Sequence, residues 1–297
     1  MIVKKLDMHV HVQLAHAFPA YNGGTDFGLT CAELRSMYDL IGVEKGVALP
    51  SVSPEHDTDQ FSNEDARHCA EQFPDTIGWW FCNVDPRWLT NAPDADLSLP
   101  MEYYKSRGAK GLGELSANLP FDDPLMENLF RHAEKCGLPV LFHIGNGGGG
   151  DYGVVDELGL YKLEGALCKF PKLRFIGHSQ KWWAEISGDC DSQTRAGYPK
   201  GPVTPGGRAV ALLRSYPNMC ADLSAGSGEN AMLRDPAFGY RFLEEFQDKL
   251  YFGTDYCCGY NRFRLSEFLD EGVETGRLSQ KAYNKICREN LLSIVEA

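Results

Sequence analysis

Five side chains stand at the ends of short apolar runs and share one chemistry. His9 and His11 lie two residues apart in Asp7-Met8-His9-Val10-His11, His143 closes Pro139-Val140-Leu141-Phe142, and His178 closes Leu173-Arg174-Phe175-Ile176-Gly177. Asp255 ends Leu250-Tyr251-Phe252-Gly253-Thr254. Imidazole nitrogens and a carboxylate suit zinc or another borderline divalent ion in a site that keeps a position open. Such an ion polarises a carbonyl and lowers the pKa of water to about 7. One strand-end histidine is usually an ordinary hydrogen-bonded polar residue, and one aspartate after a strand is usually a helix cap. The His-x-His pair and the recurrence of the pattern are what point to a metal.

The elements that must position these groups follow from periodicity. Eight β-rich runs alternate with helical stretches: Ile2 to His9, Lys45 to Leu49, Ile77 to Cys82, Gly108 to Glu114, Val140 to Ile144, Leu173 to His178, Met219 to Leu223 and Leu250 to Asp255. Several are apolar without strict alternation, as in strands buried on both faces. The spacing predicts helices over Thr30 to Leu40, Ser62 to Phe73, Pro124 to Lys135, Asp156 to Lys169 and Lys281 to Val295. Ser62 and Asp65 form a capping box, and Gly42 and Gly137 supply stops. This alternation predicts an α/β fold, a (β/α)8 TIM barrel forming one domain over residues 1–297. In such barrels active sites sit at the C-terminal ends of the strands, where the five side chains fall. The two-residue strand period aims Asp7, His9 and His11 to one side, and the eighth strand closes beside the first, bringing Asp255 to the histidine pair.

The ordered set of motifs resembles the amidohydrolase superfamily, in particular its amidohydrolase-related branch of metal-dependent hydrolases and decarboxylases, along the whole chain. Carrying the resemblance are Asp7-Met8-His9-Val10-His11, Leu138 to His143, Phe170-Pro171-Lys172-Leu173-Arg174-Phe175-Ile176-Gly177-His178, Pro217 to Ser224 and Tyr251-Phe252-Gly253-Thr254-Asp255. It implies His9, His11, His143 and Asp255 as metal ligands, with His178 as general base or electrostatic helper. The fourth run ends in Glu114, a carboxylate where many one-metal members have no ligand. In related two-metal hydrolases a fourth-strand Glu or a modified Lys links the ions. One zinc-like ion with Glu114 in or next to the ligand set is the expectation, and two ions remain open.

On the substrate side, an extended loop after the sixth strand, Gln180 to Gly207, carries Trp182, Trp183, Glu185 and Arg195. Aromatic planes and charge beside a metal suit a planar or sugar-like ligand, whereas the plainer reading has the tryptophans anchoring the loop and Glu185 pairing with Arg195. Gly147 to Gly150 reads as a lid or tight turn and not as a P-loop, since no Lys-Ser/Thr follows. His16, His56, His68 and His132 have no partners in register and read as surface or packing residues. A net charge of −12 argues against nucleic acid as a partner. The ten cysteines have no CxxC pair and read as reduced thiols. No apolar leader and no bilayer-length run is found, so a cytoplasmic location is expected, and homo-oligomer formation is compatible with the sequence. These readings converge on a metal-dependent hydrolase, with Asp255 and His178 as proton-transfer groups, acting on a small carboxylated or cyclic lactone, ester or amide. The alternative is a nonoxidative decarboxylase or hydratase of an aromatic or unsaturated acid on the same site.

Overall fold

The computed structural model describes residues 1–16, 28–53, 61–146 and 151–296. At its centre, among the described residues, run eight parallel strands: β1 (Lys5–Val10), β2 (Val43–Ala48), β3 (Ile77–Trp80), β4 (Leu112–Leu115), β5 (Val140–Gly145), β6 (Phe175–His178), β7 (Met219–Asp222) and β8 (Leu250–Tyr251). Ladders join β1 to β2 to β3, and β4 through β8 in order. A few backbone hydrogen bonds close each of the two gaps. Between β3 and β4, Cys82 N donates to Gly111 O and Gly113 N to Cys82 O, each at 2.9 Å. Between the last strand and the first, Met8 N donates to Phe252 O (2.9 Å), Asp255 N to His9 O (2.7 Å) and His11 N to Tyr256 O (3.0 Å). The ring is a (β/α)8 barrel, as its sequence pattern predicts. Two further short strands, Ala117–Pro120 and Gly153–Val155, pair with one another, and the second also pairs with β5 beyond the rim.

Two apolar layers hold the ring. Leu6, Met8, Val47, Leu49, Phe81, Leu141, Ile176, Cys220 and Tyr251 fill the lumen, with Leu291, Ile294 and Val295 packed at its base. A larger outer layer, including Val10, Leu34, Tyr38, Phe130, Phe142 and Phe175, lies between strands and helices. The helices begin and end where the local chemistry dictates. Thr30 and Ser62 cap Cys31–Ile41 and Asn63–Gln72 through reciprocal bonds with Glu33 and Asp65, and Gly42 and Gly137 end their helices in the left-handed region.

Several boundaries differ from expectation. The predicted helix from Asp156 starts at Tyr161, because the Asp156 carboxylate instead accepts the backbone N–H groups of Glu157, Lys162 and Leu163. The stretch after β6 opens with a helix, Gln180–Ala184, capped by Ser179. The C-terminal helix is divided by a π-helical turn at Lys285–Glu289. Helices at Ser98–Ser106, Ala225–Leu233, Pro236–Glu245 and Leu265–Glu274 lie outside the five predicted from the sequence. Among the described residues no helix is long and apolar enough to cross a membrane.

Candidate metal centre

A bulge in β1 decides which of its side chains reach the axis. From Asp7 to Val10 the chain takes three steps while β2 takes two, from Gly46 to Ala48. An extra residue in a ladder switches the faces that follow it. Leu6 and Met8, before the switch, belong to the lumen, whereas Val10 belongs to the outer layer and His9 and His11 turn inward. The expectation that Asp7 shares their side is therefore corrected. Its carboxylate points outward, accepting bonds from Tyr38 Oη (2.6 Å), Thr254 Oγ1 (2.5 Å), Thr254 N (2.8 Å) and His9 N (2.9 Å). Burial pushes its carboxyl up to about 6 although these donors act against the rise.

At the rim the side chains meet. Nε2 of His9 and Nε2 of His11 are 3.0 Å apart, and each is 3.4 Å from Asp255 Oδ1. Glu114 Oε2 lies 3.3 Å from His11 Nε2 and 3.7 Å from His9 Nε2. The other oxygen of Glu114 faces a second pair, 2.9 Å from His143 Nδ1 and 3.7 Å from His178 Nε2. Asp255 likewise turns Oδ2 to His178 Nε2, at 3.6 Å. Glu114 reaches this position because β4 packs unusually close to β5: a Cβ on Gly113 would sit 2.6 Å from Leu141 O. Asn83 then fixes its carbonyl through Nδ2 at 2.6 Å.

The imidazoles are held from behind. His11 Nδ1 donates to Leu49 O at 2.9 Å and His9 Nδ1 to Asp222 Oδ2 at 2.7 Å, so in the neutral rings both Nε2 atoms present lone pairs to the cluster. His178 Nδ1 lies 3.2 Å from the same Asp222 oxygen and 3.1 Å from Ser224 Oγ. Asp222, fully buried at the end of β7, is a site residue that sequence reasoning quoted without assigning a role. The available signal was its place: a carboxylate closing an apolar strand, as Asp255 follows the next one.

Three carboxylates, Glu114, Asp222 and Asp255, thus share a buried space with four imidazoles, and among the described residues no Lys or Arg pairs with them. Their charge falls on the histidines. Burial opposes protonation of His9, yet Asp255, Asp222 and Glu114 lift it to about 9. Against the same burial, Asp255 and Glu114 lift His11 to about 10. His178 is also raised, by Asp222 and Asp255 against burial, whereas for His143 burial outweighs Glu114 and lowers it. Burial would raise Asp222, but His178 and His9 bring it to about 2, and Glu114 and Asp255 are likewise held below the usual carboxylate range.

Such a cluster wants positive charge at its centre, and its dimensions fit a metal. Ligands about 2.1 Å from a tetrahedral ion lie about 3.4 Å apart, and the distances from His9 and His11 to one another and to Glu114 and Asp255 run from 3.0 to 3.7 Å. Potential ligand atoms of His9, His11 and Glu114, of His9, His178 and Asp255, and of Glu114, His143 and His178 form groups within 4.8 Å. All six side chains singled out from the sequence as ligands or proton carriers are brought together.

A cavity of about 150 Å³ opens beside the cluster, walled by His11, Glu114 and Asp255 together with Gln13, Leu29, Ser51, Phe61, Tyr152 and Cys257. The four predicted substrate contacts are not in this wall. Trp182 and Trp183 are buried, and Trp183 Nε1 donates to Asp222 O at 3.0 Å, supporting the end of β7 from outside the cavity. Glu185 and Arg195 pair at 2.6 Å, and Arg195 also holds Asp156 O. None of the four meets the cavity beside the cluster: the tryptophans pack in the core and Glu185 and Arg195 bind one another, so they are not placed as contacts to a ligand in this wall. His16, His68 and His132 bond to Glu33, Arg67 and Asn128, away from the cluster. His56 and Gly147 to Gly150 lie outside the described residues.

The family described as amidohydrolase matches residues 6–290. No curated protein matches significantly. Among solved structures, a probable 2-pyrone-4,6-dicarboxylic acid hydrolase from Acinetobacter baumannii, with citric acid bound, is similar at a TM-score of 0.59 and 13% identity, over 99% of this chain and 100% of that one. A 2,6-dihydroxybenzoate decarboxylase from Rhizobium gives 0.55 and 13%, over 99% of both chains. A 5-carboxyvanillate decarboxylase from Novosphingobium aromaticivorans, holding manganese and 3-methoxy-4-hydroxy-5-nitrobenzoic acid, gives 0.58 and 12%, over 99% and 97%. At these identities the likeness is one of fold.

Proposed function

The chain belongs to the amidohydrolase family, and on that premise we propose that it is a divalent-metal hydrolase of a small lactone, ester or amide. The observation that carries the reading is Glu114, whose two oxygens face two different histidine pairs. The sequence alone points to one ion, and this division favours two. His9, His11 and Asp255 with Glu114 Oε2 would hold the first, and His143 and His178 with Glu114 Oε1 the second. Zinc is the proposed ion, for its fit to a nitrogen-rich donor set, with manganese, which the Novosphingobium enzyme holds, as the competitor. Bound there, divalent cations supply Lewis acidity, polarising a carbonyl and making water acidic enough to lose a proton near neutral pH.

The protein's own groups divide the remaining work. Asp222 fixes the tautomers of His9 and His178. The Asp255 side chain is 24% exposed against 7% for Glu114, so Asp255 is the more open of the two carboxylates in the cavity wall and the proposed proton acceptor. His178, only 2% exposed and 3.6 Å from Asp255 Oδ2, is better placed to hold a cation or a proton against Asp255 than to meet substrate.

The cavity wall favours an uncharged ring. Its described lining has no Lys or Arg, and residues 17–27, 54–60 and 147–150 contain none either. A dicarboxylate would therefore leave at least one charge uncompensated. The volume matches about one benzene-sized ring, since a cavity of about 150 Å³ takes benzene. A reducing cytoplasmic setting belongs to the same proposal, all ten cysteines being free thiols.

The decarboxylase reading keeps its place because two of the structural relatives carry out that reaction on aromatic acids. A panel of neutral lactones, esters and amides beside hydroxybenzoates, read by acid release and by CO2, separates the two. Acid without CO2 is expected. CO2 from a benzoate with no hydrolysis would replace the proposal by its alternative.

A further inference from the structure

We infer that Tyr152 is a catalytic residue of this site, its phenol donating a hydrogen bond to the substrate oxygen on which negative charge gathers during hydrolysis. This rests on the hydrolase reading above. The acidic members of the wall are Glu114 and Asp255, and among its described residues no Lys or Arg lies beside them. Hydrolysis of a carbonyl compound builds charge on oxygen, and a fixed donor aimed at that oxygen is worth more than one that must reorient. Gln13, Ser51, Tyr152 and Cys257 are the neutral candidates in the described wall. Among them Tyr152 is the one whose ring packs against a histidine of the cluster, 4.3 Å from that of His143 and tilted at 36°.

The backbone holds the phenol there. Asp151 receives Lys181 Nζ on both oxygens, at 2.8 and 2.9 Å, and also caps Asn146 N. Lys181 is buried on the helix that follows His178, so this ion pair ties the segment before Tyr152 to the strand end bearing a ligand. On the other side, Val154 and Val155 pair with Ile144 and Gly145. A Cβ on Gly145 would lie 2.4 Å from the Tyr152 carbonyl, so only glycine allows this approach. Tyr152 is nevertheless 37% exposed, which leaves its edge open to a ligand. A phenol keeps its proton at neutral pH and can serve as a donor without titrating.

Tyr152→Phe keeps the ring on His143 and removes only the hydroxyl. In metal-loaded protein, kcat on the best neutral substrate should fall about 100-fold, the usual effect of losing one such donor, with KM within about threefold and metal content unchanged. A second readout needs no turnover: calorimetric titration with phenylphosphonate, a tetrahedral oxyanion, should show about tenfold weaker binding to the variant. Equal kcat and equal phenylphosphonate affinity in the two proteins would overturn the inference. If the wild type hydrolyses nothing, the hydrolase reading fails by itself. The phenylphosphonate comparison then decides alone: weaker binding to the variant sustains the donor role, and equal binding, or none to the wild type, overturns it.

Discussion

Around Arg195 and around Glu114 the protein buries charge on opposite terms. Glu185 and Arg195 are 2% and 5% exposed and close on one another at 2.6 Å, while Gly159 N donates to the second Glu185 oxygen and Asp156 receives three backbone N–H groups. In this cluster Arg195 Nη2 is the guanidinium nitrogen left over. In the other cluster, the ionisable partners of the carboxylates are, among the described residues, imidazoles alone, and three His9-side distances to acids or to His11 match the edges of a coordination shell. Both clusters are buried and charged. What separates a structural ion pair from a functional site is that one is balanced by its own side chains and the other is balanced only when a cation or several protons are added.

If that contrast is right, variants in the two clusters should fail differently. The largest effect is expected for Asp255→Asn, which removes a ligand and the proposed proton acceptor: turnover should drop about 10³-fold or more with the fold retained. Unchanged activity in that variant would end the assignment. Next comes Arg195→Ala, which strands the buried Glu185. It should cost about 3–5 kcal/mol in urea unfolding while metal content stays at the wild-type level, and loss of metal there would erase the distinction between the clusters. Smaller still is Asp222→Asn, acting through His9 and His178 and not on the ion itself. Competition with a chelator should show metal affinity weakened about 10–100-fold; unaltered affinity would reduce Asp222 to a packing role.

The contrast also shows what a sequence can and cannot disclose. His9, His11, Glu114, His143, His178 and Asp255 were legible because each ends an apolar run, and a barrel brings strand ends together whatever their separation along the chain. The side taken by Asp7 was not legible, because a bulge adds one residue with no mark of its own in the local pattern. Asp222 was hidden for another reason: its chemistry depends on two histidines from β1 and β6, both more than forty residues earlier in the chain. Trp182, Trp183, Glu185 and Arg195 misled because aromatic and charged residues serve equally well to anchor a loop and to hold a ligand. Only burial tells those uses apart. Tyr152 follows a glycine-rich segment, and its contact with His143 depends on a rim strand pairing outside the eight-strand pattern.

The measurement that bears most directly on the metal centre is elemental analysis of protein purified without added metal, compared across wild type, His9→Ala and Glu114→Ala. Two divalent ions per chain in the wild type, reduced to about one or fewer in each variant, is the result expected from a carboxylate shared between two histidine pairs. Protein that carries no divalent metal even after incubation with zinc or manganese, or that keeps its full complement without His9, would contradict the account.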